Sequence, residues 1–227
     1  MLHRFVQSIA MSLLISLGLT AVANEAFLDR ELVDPAFVFD VVDPGFCEMP
    51  PGEVSDGQLV AMADDPEFYV PIVGELSGPV AGPVYGSGYF KAFSDGIVAS
   101  FVMFVAVSDA EVMGLCLVVL PVGETDLVEG TANLVGPLPE SFEDEAYLAV
   151  VQLGERDGSE LLPVGEMVGG EGSITLRMPH EETLEGSLSI DGRVEGLSVE
   201  GENDFLLRFD FEDMIRNPLT MMRLEVY

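Results

Sequence analysis

Between Ser173 and Phe211 apolar side chains recur at every second position, and this period limits what the chain can fold into. Ile174, Leu176 and Met178 alternate with Ser173, Thr175 and Arg177. Leu184, Leu188 and Ile190 share one parity, while Thr183, Glu185, Ser187 and Ser189 take the other. Phe205, Leu207, Phe209 and Phe211 follow, separated by Leu206, Arg208 and Asp210. A period of two sends alternate side chains to opposite faces of a strand, so these segments predict an antiparallel sheet with one apolar and one wet face. Short turn sequences such as Pro179-His180-Glu181-Glu182 separate them.

Earlier segments extend the pattern. Tyr147, Ala149, Val151 and Leu153 share a face, and Leu148 and Val150 make the second face apolar too. Ile97–Val107 and Leu115–Val122 are the most hydrophobic segments after the N-terminus. They are rich in β-branched residues, shorter than the roughly 20 apolar residues of a membrane helix, and split by Ser108-Asp109-Ala110-Glu111. They predict two buried strands joined by a polar turn. Tyr69–Phe93 is broken by Gly74, Gly78, Gly82, Gly86 and Gly88, with prolines between, which predicts strands with bulges and tight turns. Within it, the Gly/aromatic stretch Tyr85–Phe93 is read first as core strand and second as a mouth or edge. Phe37–Val42 predicts a strand closed by Asp43-Pro44-Gly45, and Leu219–Val226 a closing strand. One short helix is predicted over Ser55–Asp64, capped by Ser55, with Leu59, Val60 and Met62 on its apolar face and Pro66 as its stop.

The expected fold class is therefore all-β: an antiparallel β-sandwich or flattened barrel with one short helix and one disulfide. The disulfide follows from cysteine arithmetic. Cys47 and Cys116 are the only two cysteines, and neither belongs to a C-x-x-C motif. In an oxidising compartment such a pair is most simply a bridge, with a free catalytic thiol as the alternative.

That compartment is indicated by residues 1–23. Met1–Arg4 is weakly basic, Ile9–Leu19 is an apolar run of leader length, and Ala21-Val22-Ala23 offers a small-x-small cleavage site. The expectation is a cleaved signal peptide over 1–23, a periplasmic or extracellular address, and a single β-rich domain over 24–227. A possible subdomain boundary falls at Gly136-Pro137-Leu138-Pro139.

Composition then excludes partners. The chain carries 40 Asp+Glu against 9 Lys+Arg, a formal charge of −31, which becomes one unit more negative when Arg4 leaves. Nucleic acid and anionic membranes are repelled, and there is no basic stripe to compensate. The apolar content of 48% separates the chain from disordered acidic sequences. Lys91 is the only lysine, and a carboxylate-rich, lysine-poor surface fits a salty exterior.

No constellation for catalysis stands out. After the leader the only histidine is His180, in a turn beside Glu181 and Glu182, so a Ser-His-Asp or Cys-His arrangement has only that base to draw on. The sequence has no G-x-S-x-G elbow, no D-[ST]-G signature and no phosphate-binding loop. One histidine and two separated cysteines cannot make a zinc site. Calcium is the one cofactor the composition permits, with acids clustered at Asp64-Asp65, Glu140–Glu145 and Glu181-Glu182, although no calcium-loop motif is present. The expected function is a non-enzymatic structural or binding role, with no catalytic, cofactor or metal residues assigned and an unspecified protein or small-molecule partner. A lipocalin-like carrier of an apolar ligand and a carboxylate-dependent hydrolase are the alternatives.

Forty acids on one domain repel each other through water, and salt shortens that reach from about 10 Å at 0.1 M to about 3 Å at 1 M. The melting temperature should therefore rise between 0.05 and 1 M NaCl. A flat or falling value in differential scanning calorimetry would refute surface repulsion as a limit on stability.

Overall fold

The computed structural model describes Cys47 and residues 52–65, 70–93, 96–122, 129–137, 146–158, 160–197 and 203–216. The leader, the strand expected at Phe37–Val42, the helix stop at Pro66, the acidic run Glu140–Glu145 and the closing strand Leu219–Val226 lie outside the described residues. Among those described are one helix, α1 (Asp56–Ala63), and nine strands. The strands are β1 (Ile72–Ser77), β2 (Gly82–Phe93), β3 (Gly96–Ser108), β4 (Glu111–Val122), β5 (Gly130–Val135), β6 (Ala146–Asp157), β7 (Glu160–His180), β8 (Thr183–Glu195) and β9 (Asp204–Arg216). The protein is all-β, as the alternation predicts.

The strands form one sheet in the order β1-β2-β3-β4-β6-β5-β7-β8-β9, and β1 pairs with β9 to close it. Of the two expected architectures this is the flattened barrel, and an irregular one. Most neighbours are antiparallel, but β5 runs parallel to β6, and β2 makes a short parallel contact with β9 at Tyr89–Ile215 and Phe90–Arg216. Strand β7 causes the irregularity. Its first part pairs with β6 and its later part with β5, while β8 follows it from Glu166 to His180. The sequence marks only Ser173–Met178 as strand here. Pro163 and the glycines at 165, 169, 170 and 172 resemble turn residues, yet they lie within a bulged 21-residue strand.

One face of every strand feeds the interior. Ile72, Val84, Phe90, Phe101, Met103, Leu115, Leu117, Tyr147, Ile174, Ile190 and Leu207 belong to a single core cluster and are fully inaccessible to solvent. Phe101 sits between Phe209 and Phe211, with ring centroids 5.0 and 5.3 Å away in edge-to-face contacts. That geometry adds to the area term for aromatic pairs. Gly74 marks a tight β1–β9 seam, because a Cβ there would lie 2.1 Å from the Arg208 carbonyl oxygen and 2.4 Å from the Phe209 Cβ. The cluster includes residues from both sides of Gly136-Pro137, and β5, before that point, pairs with β6 and β7 after it.

Tyr147 brings a hydroxyl into this core. The Ile97 amide donates to its Oη at 3.3 Å. Burial pushes the phenol above its ordinary range, and the Ile97 bond works weakly in the other direction.

A second apolar cluster covers the outer face of β3, β4 and β6. Val98, Cys116, Val118, Leu120, Leu148 and Val150 are buried there, with Cys47 and Leu161 packed against them. This explains why residues 147–153 are apolar on both faces. Cys47 is bonded to Cys116 across 69 residues, with Cα atoms 5.8 Å apart, which confirms the expected disulfide. Cys116 lies on a core strand, so the bond pins Cys47 onto the outer cluster.

Helix α1 follows its sequence signals at the start. Gln58 Oε1 accepts from the Ser55 amide at 2.9 Å and from Ser55 Oγ at 2.8 Å, which ties the first turn. Its apolar face is narrower than expected. Leu59 is buried, but Met62 is 37% exposed, because α1 touches the barrel over only a short length at β4.

Opening a loop of this length removes about 4 kcal/mol of denatured-state constraint in the chain-entropy model. Cys47→Ser should lower the unfolding free energy by about 3–4 kcal/mol in urea denaturation, with spectra still showing β structure. A loss below about 1 kcal/mol would mean that the outer cluster holds without the bond.

Candidate functional site

Where β3 turns into β4, a part-buried ion pair joins α1 to the barrel. Arg156, near the end of β6, has a side chain only 9% exposed. Its Nε and Nη2 both donate to Asp56 Oδ1, at 3.2 and 2.6 Å, and Nη2 also donates to the Val54 carbonyl at 2.6 Å. Asp56 opens α1, where a carboxylate also suits the positive end of the helix. Its other oxygen, Oδ2, accepts the Val112 amide of β4 at 3.2 Å. One carboxylate thus joins the helix, β4 and β6. Gly57 sits against the Asp109 carbonyl, with room for a Cβ only 3.4 Å from that oxygen.

Beside this pair lies a groove of about 310 Å³, lined by Asp56, Arg156, Glu111, Glu155, Val107 and Met113, together with the 79–81 turn. That volume is at the lower end of what holds a small ligand, and a barrel mouth is a usual place for one. Val107, Val112 and Met113 give it an apolar side. Val112 is buried and Val107 is 43% exposed. The charge of Asp56 is answered by Arg156, whereas Glu111 and Glu155 make no ion pair among the described residues. The groove therefore sets an apolar side beside charged groups of net negative sign.

Other residues singled out in the sequence do not converge on it. His180 is exposed in the β7–β8 turn, paired with Thr183 across the bulge, and Glu181 and Glu182 are exposed beside it. Asp64 ends α1 and accepts the Tyr85 hydroxyl at 3.2 Å. Partial burial and then the nearby Asp64 charge raise the Tyr85 phenol above its usual range. Tyr85–Phe93 lies within β2. That stretch is strand, with Phe90 in the core. Among the described residues no three His, Cys, Asp or Glu side chains come together as metal ligands.

The sequence analysis missed the groove because its charged centre joins residues 100 positions apart. One signal was available: Arg156 is one of only nine cations, and it stands at the end of an otherwise apolar run.

Asp56 and Arg156 should respond unequally to substitution. Asp56→Ala removes the carboxylate that accepts two hydrogen bonds from the nearly buried Arg156 guanidinium, which should cost about 3 kcal/mol in chemical denaturation. Arg156→Met should cost about 1 kcal/mol, since Asp56, whose side chain is 28% exposed, can still be solvated. Equal losses would show that the pair's burial does not set its energetics. No protein-family model, curated protein or solved structure matches the chain, so what the groove can do rests on its own geometry.

Proposed function

We propose that the protein is an exported, non-enzymatic binding protein of the periplasm or cell exterior, and that its mouth groove takes a small cation with an apolar body. The observation that carries this reading is the coincidence, in one concavity, of Glu111 and Glu155 with Val107 and Met113. A primary or quaternary amine would lie between the two carboxylates while its hydrocarbon part covers the valine and methionine side chains. The formal charge of −31 raises the local concentration of such cations and speeds their capture.

Export is supported by the leader-like residues 1–23 and by the Cys47–Cys116 bond, which persists where thiols are oxidised. Among the described residues no helix is long and apolar enough to cross a membrane. The lipocalin-like alternative fits less well. A carrier needs accessible interior surface for its ligand, and the interior residues Ile72, Phe101, Met103, Leu115 and Tyr147 have none.

Isothermal titration at low ionic strength tests this reading, with n-hexylammonium as probe and tetramethylammonium as the small control. Hexylammonium should bind more tightly, and the affinity should fall as NaCl is added. Glu111→Gln with Glu155→Gln should weaken it at least tenfold, whereas Glu171→Gln, on the outer face of β7, should leave it unchanged. Absence of heat from hexylammonium at millimolar concentration, or equal binding by the double variant, would overturn the assignment.

A further inference from the structure

One wall of the mouth groove does not belong to the sheet. Residues 52–65 run across the barrel end, and among the described residues α1 within them is the one helix. Gly52 packs on Gly158 in the β6–β7 turn, where a Cβ would lie 3.0 Å from the Gly158 Cα, and Gly57 packs on the β3–β4 turn. At its start the segment is held by Arg156, which donates to the Val54 carbonyl and to Asp56, and by the Val112 amide, which also donates to Asp56. At its far end the Tyr85 hydroxyl of β2 donates to Asp64 at 3.2 Å. Between these tethers α1 buries only Leu59.

Such a segment relies on its polar tethers. A helix of eight residues does not persist alone in water. An element with one buried apolar side chain belongs to the parts of a protein that open locally, without global unfolding. Electrostatics oppose its docking as well. Asp56 lines the groove together with Glu111, Glu155 and Arg156, so the docked segment brings a third carboxylate to a concavity that holds one guanidinium.

We propose that residues 52–65 form a strap that closes on the mouth groove, and that a bound organic cation fastens it, an inference that rests on the cation-binding reading of that groove. A ligand shifts an equilibrium only through a difference in its affinity for the two states. Here the difference is explicit. With the strap docked, the ammonium faces the carboxylates of Asp56, Glu111 and Glu155, and Asp56 forms part of the wall. With the strap open, Asp56 is withdrawn and the two glutamates remain. The cation also relieves the repulsion that opposes docking. Such coupling is reciprocal, so the cation strengthens strap docking by the same factor by which the strap strengthens cation binding.

Amide hydrogen exchange of the folded, disulfide-bonded protein, followed by NMR, tests the proposal. The Leu59 and Asp64 amides donate to the Ser55 and Val60 carbonyls and report strap opening, while amides in the middle of β4, between β3 and β6, report global unfolding. At 0.05 M NaCl, n-hexylammonium at about nine times its dissociation constant should slow the two strap amides at least fivefold, against about tenfold for complete coupling. In the ligand-free protein, Glu111→Gln with Glu155→Gln should slow them at least threefold, and 1 M NaCl should shrink that difference. Tyr85→Phe, which loosens the far tether without touching the groove, should speed them at least twofold, and hexylammonium should restore their protection. Hexylammonium that binds yet leaves the strap amides unchanged, or a double variant whose free strap exchanges as fast as the unsubstituted one, would overturn this inference alone. Absence of binding would overturn the cation reading and the fastening with it.

Discussion

The rest of the structure depends on one continuous apolar interior enclosed by a sheet that closes on itself. A formal charge of −31 makes compaction costly, and the opposing term must be gathered in one place to be large. Every strand contributes a face to the same cluster, from Ile72 on β1 to Met214 on β9. Burying a single large apolar side chain fully is worth about 1.5–3 kcal/mol, and the aromatic contacts of Phe101 with Phe209 and Phe211 add to that. Closure through β1 and β9 removes the open edges along which an extended sheet would pair with other chains. Interior and closure meet at the seam, where Gly74 on β1 pairs with Phe209 on β9, itself a core residue.

The outer cluster solves a different problem. A closed sheet with a wet exterior needs only one apolar face, yet β3, β4 and β6 carry two. The additional face has to be covered, and Cys47 is packed and bonded there. The disulfide therefore holds Cys47 against the outer face of the most hydrophobic strands. The same logic places the charge pair at the mouth. Helix α1 has one well-buried apolar anchor, Leu59, and the Asp56–Arg156 pair supplies the second attachment that its small apolar face cannot.

How much of this could be read in advance follows from the range of each interaction. Period-two alternation is local, so β8, β9 and the apolar parts of β3, β4 and β6 are legible residue by residue. So is the bridge, because two cysteines leave only one pairing. Strand β7 is legible only in part. Glycine and proline report backbone freedom, and the chain spends that freedom on bulges within a long strand as readily as on turns. The parallel β5–β6 contact, the closure and the mouth groove are illegible, because each joins residues distant in sequence whose local patterns are unremarkable. Asp56 alone looks like a helix-start acid, and Arg156 alone like a strand-end cation.

These constraints also decide where such a barrel can recognise anything. With the interior filled, selectivity must come from its ends and its outer skin, and on a skin of carboxylates the informative places are those that depart from it. The mouth departs by setting Val107 and Met113 beside Glu111 and Glu155, which make no ion pair among the described residues. The β5-β7-β8 face departs by replacing acids with six short neutral side chains, those of Thr131, Asn133, Ser173, Thr175, Ser187 and Ser189. The two exceptions have opposite electrostatic logic. Attraction at the mouth is Coulombic and weakens as salt is added, whereas hydrogen bonds on the neutral strip depend on geometry and are scarcely screened. Rising ionic strength weakens the first kind of contact and leaves the second, so salt separates the two surfaces on one molecule.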